Sequence, residues 1–336
     1  MPGMQGDWFD SFRNSPDLDA SIREEPNSPV MALKHLLTWY AKTDPYKAIE
    51  LMRDNSGMLM GLPYDDLDQL LRSTSSVSRH SSWHRFISAD LMLAKGNIRE
   101  ASRLLRECLH SAKLEGDLRL SIRASAQLAL GAILQNQFDL AKSASKFCLD
   151  QAEKTTDRDL KATAIQMSGN ICLSAGDLKY GLQILEASED QYSSYMDVMI
   201  MRAVRACHLS WHGLFYEAET LIQEPQKVAS ETGHAFFRAV SSLVKTNVAA
   251  ASHSVEDLVP ECEATLSVCE SSDNGQLIAY ANEILESLYL KVGLTEEAVK
   301  ASDKVRQIRT SMNMVRNPGD GIRSKVFAKT IGLNKA

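Results

Sequence analysis

LAKGNIREASRLL (residues 93–105) sets a glycine between two stretches of helical spacing, and Ala101 follows Gly96 by five positions. The arrangement returns in LSAGDLKYGLQIL (173–185) and LKVGLTEEAVKAS (290–302). Aligning the chain on the residue five past each turn gives Ala101, Ala141, Gly181, Ala218, Leu258 and Ala298, at intervals of 40, 40, 37, 40 and 40. The turn residues themselves are Gly96, Asn136, Gly176, Gly213, His253 and Gly293. Glycine and asparagine best accept the left-handed backbone that closes a helix. An apolar residue stands two past the turn at Ile98, Phe138, Leu178, Phe215 and Val255, with Thr295 the exception.

This pattern reads as one repeated unit of two helices. The glycine ends the first helix, and the Asn or Asp that often follows is expected to cap the second. The small residue one turn further lets the two helices approach; overpacking there costs about 1–3 kcal/mol. A 40-residue unit has room for two helices of about 16 residues and two short turns. The turns between units are polar: LEGD (114–117), TTDRD (155–159), SETG (230–233) and SSDNG (271–275). In residues 118–134, Leu118, Ile122, Ala126, Leu130 and Ile133 recur at helical spacing. Leu128 and Ala129 make the other face apolar too, which suits a helix sandwiched between neighbours.

Composition agrees. The chain has 336 residues, 44% of them hydrophobic, with 17 glycines and 9 prolines. Scarce helix breakers favour an all-α chain with a substantial core. A net charge of −6 is no footprint for nucleic acid, so no direct nucleic-acid binding is expected. No apolar run approaches the ~18–20 residues that span a bilayer, and the start MPGMQGDWFDSF lacks a secretion-signal layout. The expectation is a soluble protein with no membrane partner, cytoplasmic, or nuclear if the host is eukaryotic. Six cysteines without a CxxC pair read as reduced core thiols.

Leu128–Ala129, Asn136, Phe138 and Ala141, and less completely Gly169, Gly176, Leu178 and Gly181, resemble the tetratricopeptide-repeat family. The 40-residue unit, and WHRFISADLMLAKGNIREASRLL (83–105) in particular, is similar to the helical sensor region of maltose-regulator-type bacterial activators. Armadillo and HEAT repeats share the period but lack the Gly–x–apolar–x–x–Ala signature. The resemblance implies a right-handed α-solenoid of about six helix-turn-helix repeats over residues 82–311. Residues 30–81 read as a divergent helical cap, which covers the open apolar end of a solenoid, followed by a Ser-rich hinge. Within that hinge, Ser75 and Ser82 stand as phosphorylation candidates behind Arg72 and Arg79. Residues 1–29 read as an irregular segment, with Trp8 and Phe9 either tucked against the first helices or serving as a docking motif. Residues 312–336 read as a flexible basic tail, which does not resemble the helix-turn-helix that ends those activators.

The sequence carries no GxxxxGK[ST], GxSxG or HExxH motif. His80/His84 and His208/His212 have metal-compatible spacing, but no ligand set completes around them, and no metal or cofactor is expected. The leading reading is therefore a non-enzymatic scaffold or adaptor that binds a protein or peptide, as a subunit of a larger complex. The alternative is a regulatory sensor that binds a small molecule or signal peptide and controls transcription or a partner. In tetratricopeptide arrays the first helix of each unit lines the concave groove. Carried over by position, this gives Arg123, Gln127, Gln166, Asn170, Arg202, Arg205 and Asn247 as candidate groove residues. Asn170 and Asn247 share one repeat position, each 11 residues before its aligned residue. A cluster of Arg123, Arg202 and Arg205 would favour an acidic or phosphorylated segment, because guanidinium pairs bidentately with carboxylate and phosphate. The full Lys/Asn/Arg clamp for a C-terminal carboxylate is not present.

Overall fold

A computed structural model describes residues 29–77, 81–251, 253–315 and 318–333. Among them there are helices and turns and no strand. Among the described residues four α-helices precede the repeats: α1 (Pro29–Thr43), α2 (Pro45–Asp54), the single turn α3 (Ser56–Leu59) and α4 (Tyr64–Ser73). Six antiparallel pairs follow: α5/α6 (Ser82–Ala94, Ile98–Glu115), α7/α8 (Leu118–Leu134, Phe138–Ala152), α9/α10 (Arg158–Ser174, Leu178–Glu189), α11/α12 (Tyr195–Trp211, Phe215–Thr232), α13/α14 (Ala235–Ala249, Val255–Ser271) and α15/α16 (Gly275–Val292, Thr295–Ser311). The last described helix is α17 (Pro318–Thr330). The fold is an all-α solenoid of tetratricopeptide-like pairs.

Five of the six turn residues take the left-handed backbone: Gly96, Asn136, Gly176, Gly213 and Gly293. His253 does not. There the first helix stops at Ala249, and Ser254 caps α14 by accepting from the Asp257 amide. The aligned small residues are buried, as is Leu258. At Gly181 a methyl group would stand 2.6 Å from Leu173 Cγ and 3.0 Å from its backbone nitrogen. Gly169 faces Leu185 across the same α9–α10 contact. The closeness of this pair therefore depends on two missing side chains.

The expected capping inside each unit is the exception. Asp177 and Ser254 accept backbone hydrogen bonds, while Asn97, Gln137, Leu214 and Leu294 make no side-chain cap. Side-chain caps concentrate instead at the starts of the first helices, at Asp117, Asp157, Ser194 and Asn274. The turns between units also hold left-handed residues, at Gly116, Gly233 and Asp273, and several add Asp, Ser or Asn to satisfy the orphan amides of the next helix.

Three further expectations change. The Ser-rich stretch is mostly folded: α4 runs to Ser73, Thr74 is fully buried, and Ser81 caps α5. Ser82 is buried and donates to Glu115 Oε1 (3.2 Å), so it is not an accessible modification site. The basic tail is a docked helix, with Arg323, Phe327, Ala328 and Ile331 buried, because its apolar residues recur at helical spacing onto α15. Trp8, Phe9, Arg79, His80, Arg316 and Lys335 lie outside the described residues. All six cysteines are unpaired; Cys172 is half-buried and the others are buried. No helix among the described residues is long and apolar enough to cross a membrane.

Candidate functional site

The first helix of each pair turns a face towards a common interior. Two other parts of the chain reach into it. The stretch from Ser56 to Tyr64 runs along α11, α13 and α15: the Ala235 amide donates to the Gly61 carbonyl (3.3 Å), His234 Nε2 donates to the Gly57 carbonyl (3.2 Å), and Asn274 Nδ2 donates to Tyr64 Oη (3.0 Å). His234 stacks on Phe237 at 4.0 Å, and burial holds its pKa down to about 4, so it is neutral at pH 7. From the other end, the Val315 amide donates to the Leu134 carbonyl (2.8 Å), and α17 lies against α9, α11 and α15. Between these segments and the helices a cavity of about 490 Å³ remains.

Its polar wall comes from successive first helices. α5 supplies Asp90, α7 supplies Arg123 and Gln127, α9 supplies Thr163, Gln166 and Asn170, and α11 supplies Asp197. Spacings of three and four residues bring each set to one helix face. Arg123 Nη1 donates to Ser56 Oγ (2.5 Å), while its Nε and Gln127 Oε1 are buried without a hydrogen-bond partner among the described residues. Gln166 is held by Tyr192, whose hydroxyl donates to Gln166 Oε1 (2.8 Å). Burial pushes the Asp90 carboxyl up to about 6 against the pull of Arg123. Burial likewise raises Asp197, opposed by Arg123 and by the Ser194 hydroxyl. The Arg123 pKa is lowered by burial, and the nearby Asp197 opposes that shift. No ion pair forms between Arg123 and either carboxylate. The site therefore holds charges of both signs in a mostly apolar chamber, with polar atoms available to an occupant.

Four sequence-expected residues meet here: Arg123, Gln127, Gln166 and Asn170. Three do not. Arg202 donates through Nε to Glu189 (2.8 Å) and also pairs with Glu224; Arg205 pairs with Glu189 and with Glu186 (3.0 Å). These ties bind α11 to α10 and α12. The register explains it. Counting 40 and then 37 residues on from Arg123 gives Thr163 and Ile200, both in the cavity wall. Arg202 is two residues further, about 200° around the helix. The expected Arg123–Arg202–Arg205 cluster is thus not formed, and the case for an acidic ligand built on it falls. Asn247 is 1% exposed; its amide nitrogen donates to Tyr280 Oη (2.9 Å) and Ser210 Oγ (3.4 Å), joining helices rather than lining the chamber.

Asp90 was missed, although it stands at the repeat position of Asn170, two 40-residue periods earlier. Tyr280 and Trp211 also line the cavity, at the repeat positions of Arg123 and Ser174, and Asp197 and Tyr192 line it as well. His212 Nδ1 donates to the His208 carbonyl (2.7 Å), and His84 Nε2 donates to the Leu71 carbonyl (3.1 Å). Among the described residues no group of three or more His, Cys, Asp or Glu side chains is placed to hold a metal ion.

No family model and no curated protein matches the chain. Among solved structures, the crystal structure of a Rap protein complexed with competence and sporulation factor is similar, with a TM-score of 0.55 at 13% identity, over 86% of this chain and 78% of that one. At that identity the likeness is one of fold alone.

Proposed function

We propose that the chain is a recognition protein that takes a short peptide segment into its concave cavity and acts by binding, without a covalent step. The observation that carries this is the chamber of about 490 Å³ with Asp90, Arg123, Gln127, Gln166, Asn170 and Asp197 converging on it from four successive first helices. That volume lies within the ~300–1,000 Å³ of ligand sites and is far too small for a folded domain. It suits a few residues of extended peptide, whose backbone amides and carbonyls match the unpaired Gln127 Oε1 and Arg123 Nε. The Rap structure of like fold was solved with a factor bound, which supports the same use of the architecture. A partner held in this way would make the chain an adaptor or a regulated subunit.

A second reading, a sensor of a small molecule, is favoured by one observation: the stretch 56–64 and α17 add their own side chains to the chamber wall. One experiment separates the two. A pool of five- to ten-residue peptides is selected on the wild-type chain and on a Gln127→Leu/Asn170→Leu variant. Peptide recognition predicts enriched sequences whose affinity drops at least tenfold on the variant. Equal binding by both proteins refutes the assigned site. Saturable stabilisation by a metabolite, with no peptide enriched, transfers the case to the sensor.

A further inference from the structure

α17 presents one charged side chain to the solenoid in an unusual setting. The Arg323 guanidinium lies 4.4 Å from the Tyr280 ring centre and 4.8 Å from that of Trp211. Its Nη2 donates to Glu283 Oε2 (2.8 Å), and the residue is 8% exposed. Two aromatic faces and one carboxylate are what a guanidinium needs: quadrupolar attraction on its flat sides and a directed acceptor at its edge.

This receptacle is built without α17. Trp211 comes from α11, and Tyr280 and Glu283 come from α15. The two rings pack edge to face at 4.9 Å, and Trp211 also packs on His208 at 4.7 Å. Asn247 holds the Tyr280 hydroxyl from α13 (2.9 Å). Glu283 also pairs with Arg309 of α16, so loss of Arg323 does not strand a buried carboxylate. By contrast, α17 borders open space where it carries Arg323. A second cavity, of about 290 Å³, runs between α15, α16 and α17, past Arg323, Ser324 and Phe327. The main chamber also reaches Arg323. A helix that borders two cavities at one residue forfeits dispersion contacts there.

We propose that Trp211, Tyr280 and Glu283 form an arginine-recognition subsite, which the chain's own C-terminal helix fills in cis through Arg323 and which a basic partner segment presenting an arginine takes over by displacing α17. The inference rests on the peptide-recognition reading above and specifies the chemistry of the ligand at one end of the same interior. It also gives the helix a regulatory role: α17 is a built-in competitor that sets the threshold for binding.

The test uses the full chain and a labelled synthetic peptide, PGDGIRSKVFAKTIGL, which copies residues 318–333. On the Arg323→Ala chain, where the cis competitor lacks its anchor, the peptide should bind at least tenfold tighter than on the wild type. A peptide with citrulline in place of its arginine should lose at least tenfold on that same chain, and lysine should fall between. Amide exchange gives a second readout that needs no variant. Excess arginine peptide should speed exchange across 318–333 of the wild-type chain, while the citrulline peptide should leave it unchanged. Equal binding of the arginine and citrulline peptides, or exchange at 318–333 indifferent to both peptides, overturns the subsite. Those results leave the cavity reading standing if selected peptides still depend on Gln127 and Asn170. An arginine-specific response without any such dependence upholds the subsite and removes the wider reading.

Discussion

Asp90→Asn is the perturbation that most directly asks whether the chamber carries charge at a cost. The Asp90 carboxyl titrates at about 6 in the folded chain, because burial disfavours its ionised form more than Arg123 favours it. In the unfolded chain it titrates near ~3.9. Between these values the folded chain holds a proton that the unfolded chain has released. Stability therefore falls as pH rises from about 4 to 6, and the full cost is present at pH 7. A gap of about two pKa units corresponds to roughly 3 kcal/mol as an upper bound. The asparagine amide keeps some desolvation cost, so the expected gain for the variant is about 1–3 kcal/mol at pH 7, shrinking to nearly nothing at pH 4. The assay is urea unfolding of both proteins at pH steps from 4 to 7.5. The comparison must be variant against wild type at each pH. His208 and His234, held down to about 3 and 4 by burial, destabilise the wild type as pH falls below their unfolded value of ~6.5. They act equally in both proteins. A variant no more stable than wild type at pH 7, or an offset independent of pH, refutes the reasoning. A gain at pH 7 coupled to loss of peptide binding would identify Asp90 as a residue kept for recognition at the expense of stability.

Further outcomes follow from the packing. Gly131→Ala should raise the melting temperature, since helix propensity gains about 1 kcal/mol and its added methyl meets nothing nearer than Leu93 Cδ1 at 3.4 Å. Gly181→Ala should lower it by a net of about 1–2 kcal/mol, because the Leu173 backbone cannot yield. A matched rise for both variants in differential scanning calorimetry would contradict the close-approach argument. Charge reversal of Arg202 and Arg205 to Glu should destabilise the α10–α11–α12 junction by about 3–5 kcal/mol, since Glu189 is only 11% exposed. If the double variant instead melts like wild type and loses a ligand, these arginines belong to the site after all. Gly293, at φ +83° with open space around it, should accept Asn with little loss but cost about 1–2 kcal/mol as Val. Equal urea midpoints for the two variants would show that the turn does not need its left-handed backbone.

The architecture was legible because it is local and repeated. Each turn needs a residue that tolerates positive φ, each close helix contact needs a small one, and both demands recur at 40 residues, so the pattern adds up along the chain. His253 shows the limit of that reading: a hydrogen-bonded serine cap can do the work of a left-handed residue. Pro225 shows another. It sits inside α12, where propensity alone argues for a break, yet the helix continues with Pro225 buried. The site was half legible. Gln127, Gln166 and Asn170 followed from position, and Asp90 would have followed from strict counting of the same period. Arg202 and Arg205 were misplaced because a three-residue deletion shifts the register of α11, and two residues turn a helical side chain from the chamber to the neighbouring helices. By itself, then, the amino-acid sequence determined the unit, its length and the inward positions on α7 and α9, all set by backbone conformation and helical spacing. Only the tertiary structure decided which charges pair, which stay unpaired in the chamber, and that the stretch 56–64 and the segment 315–333 fold back to enclose it. Those outcomes depend on contacts between residues such as Tyr64 and Asn274, or Arg323 and Trp211, that no local spacing connects.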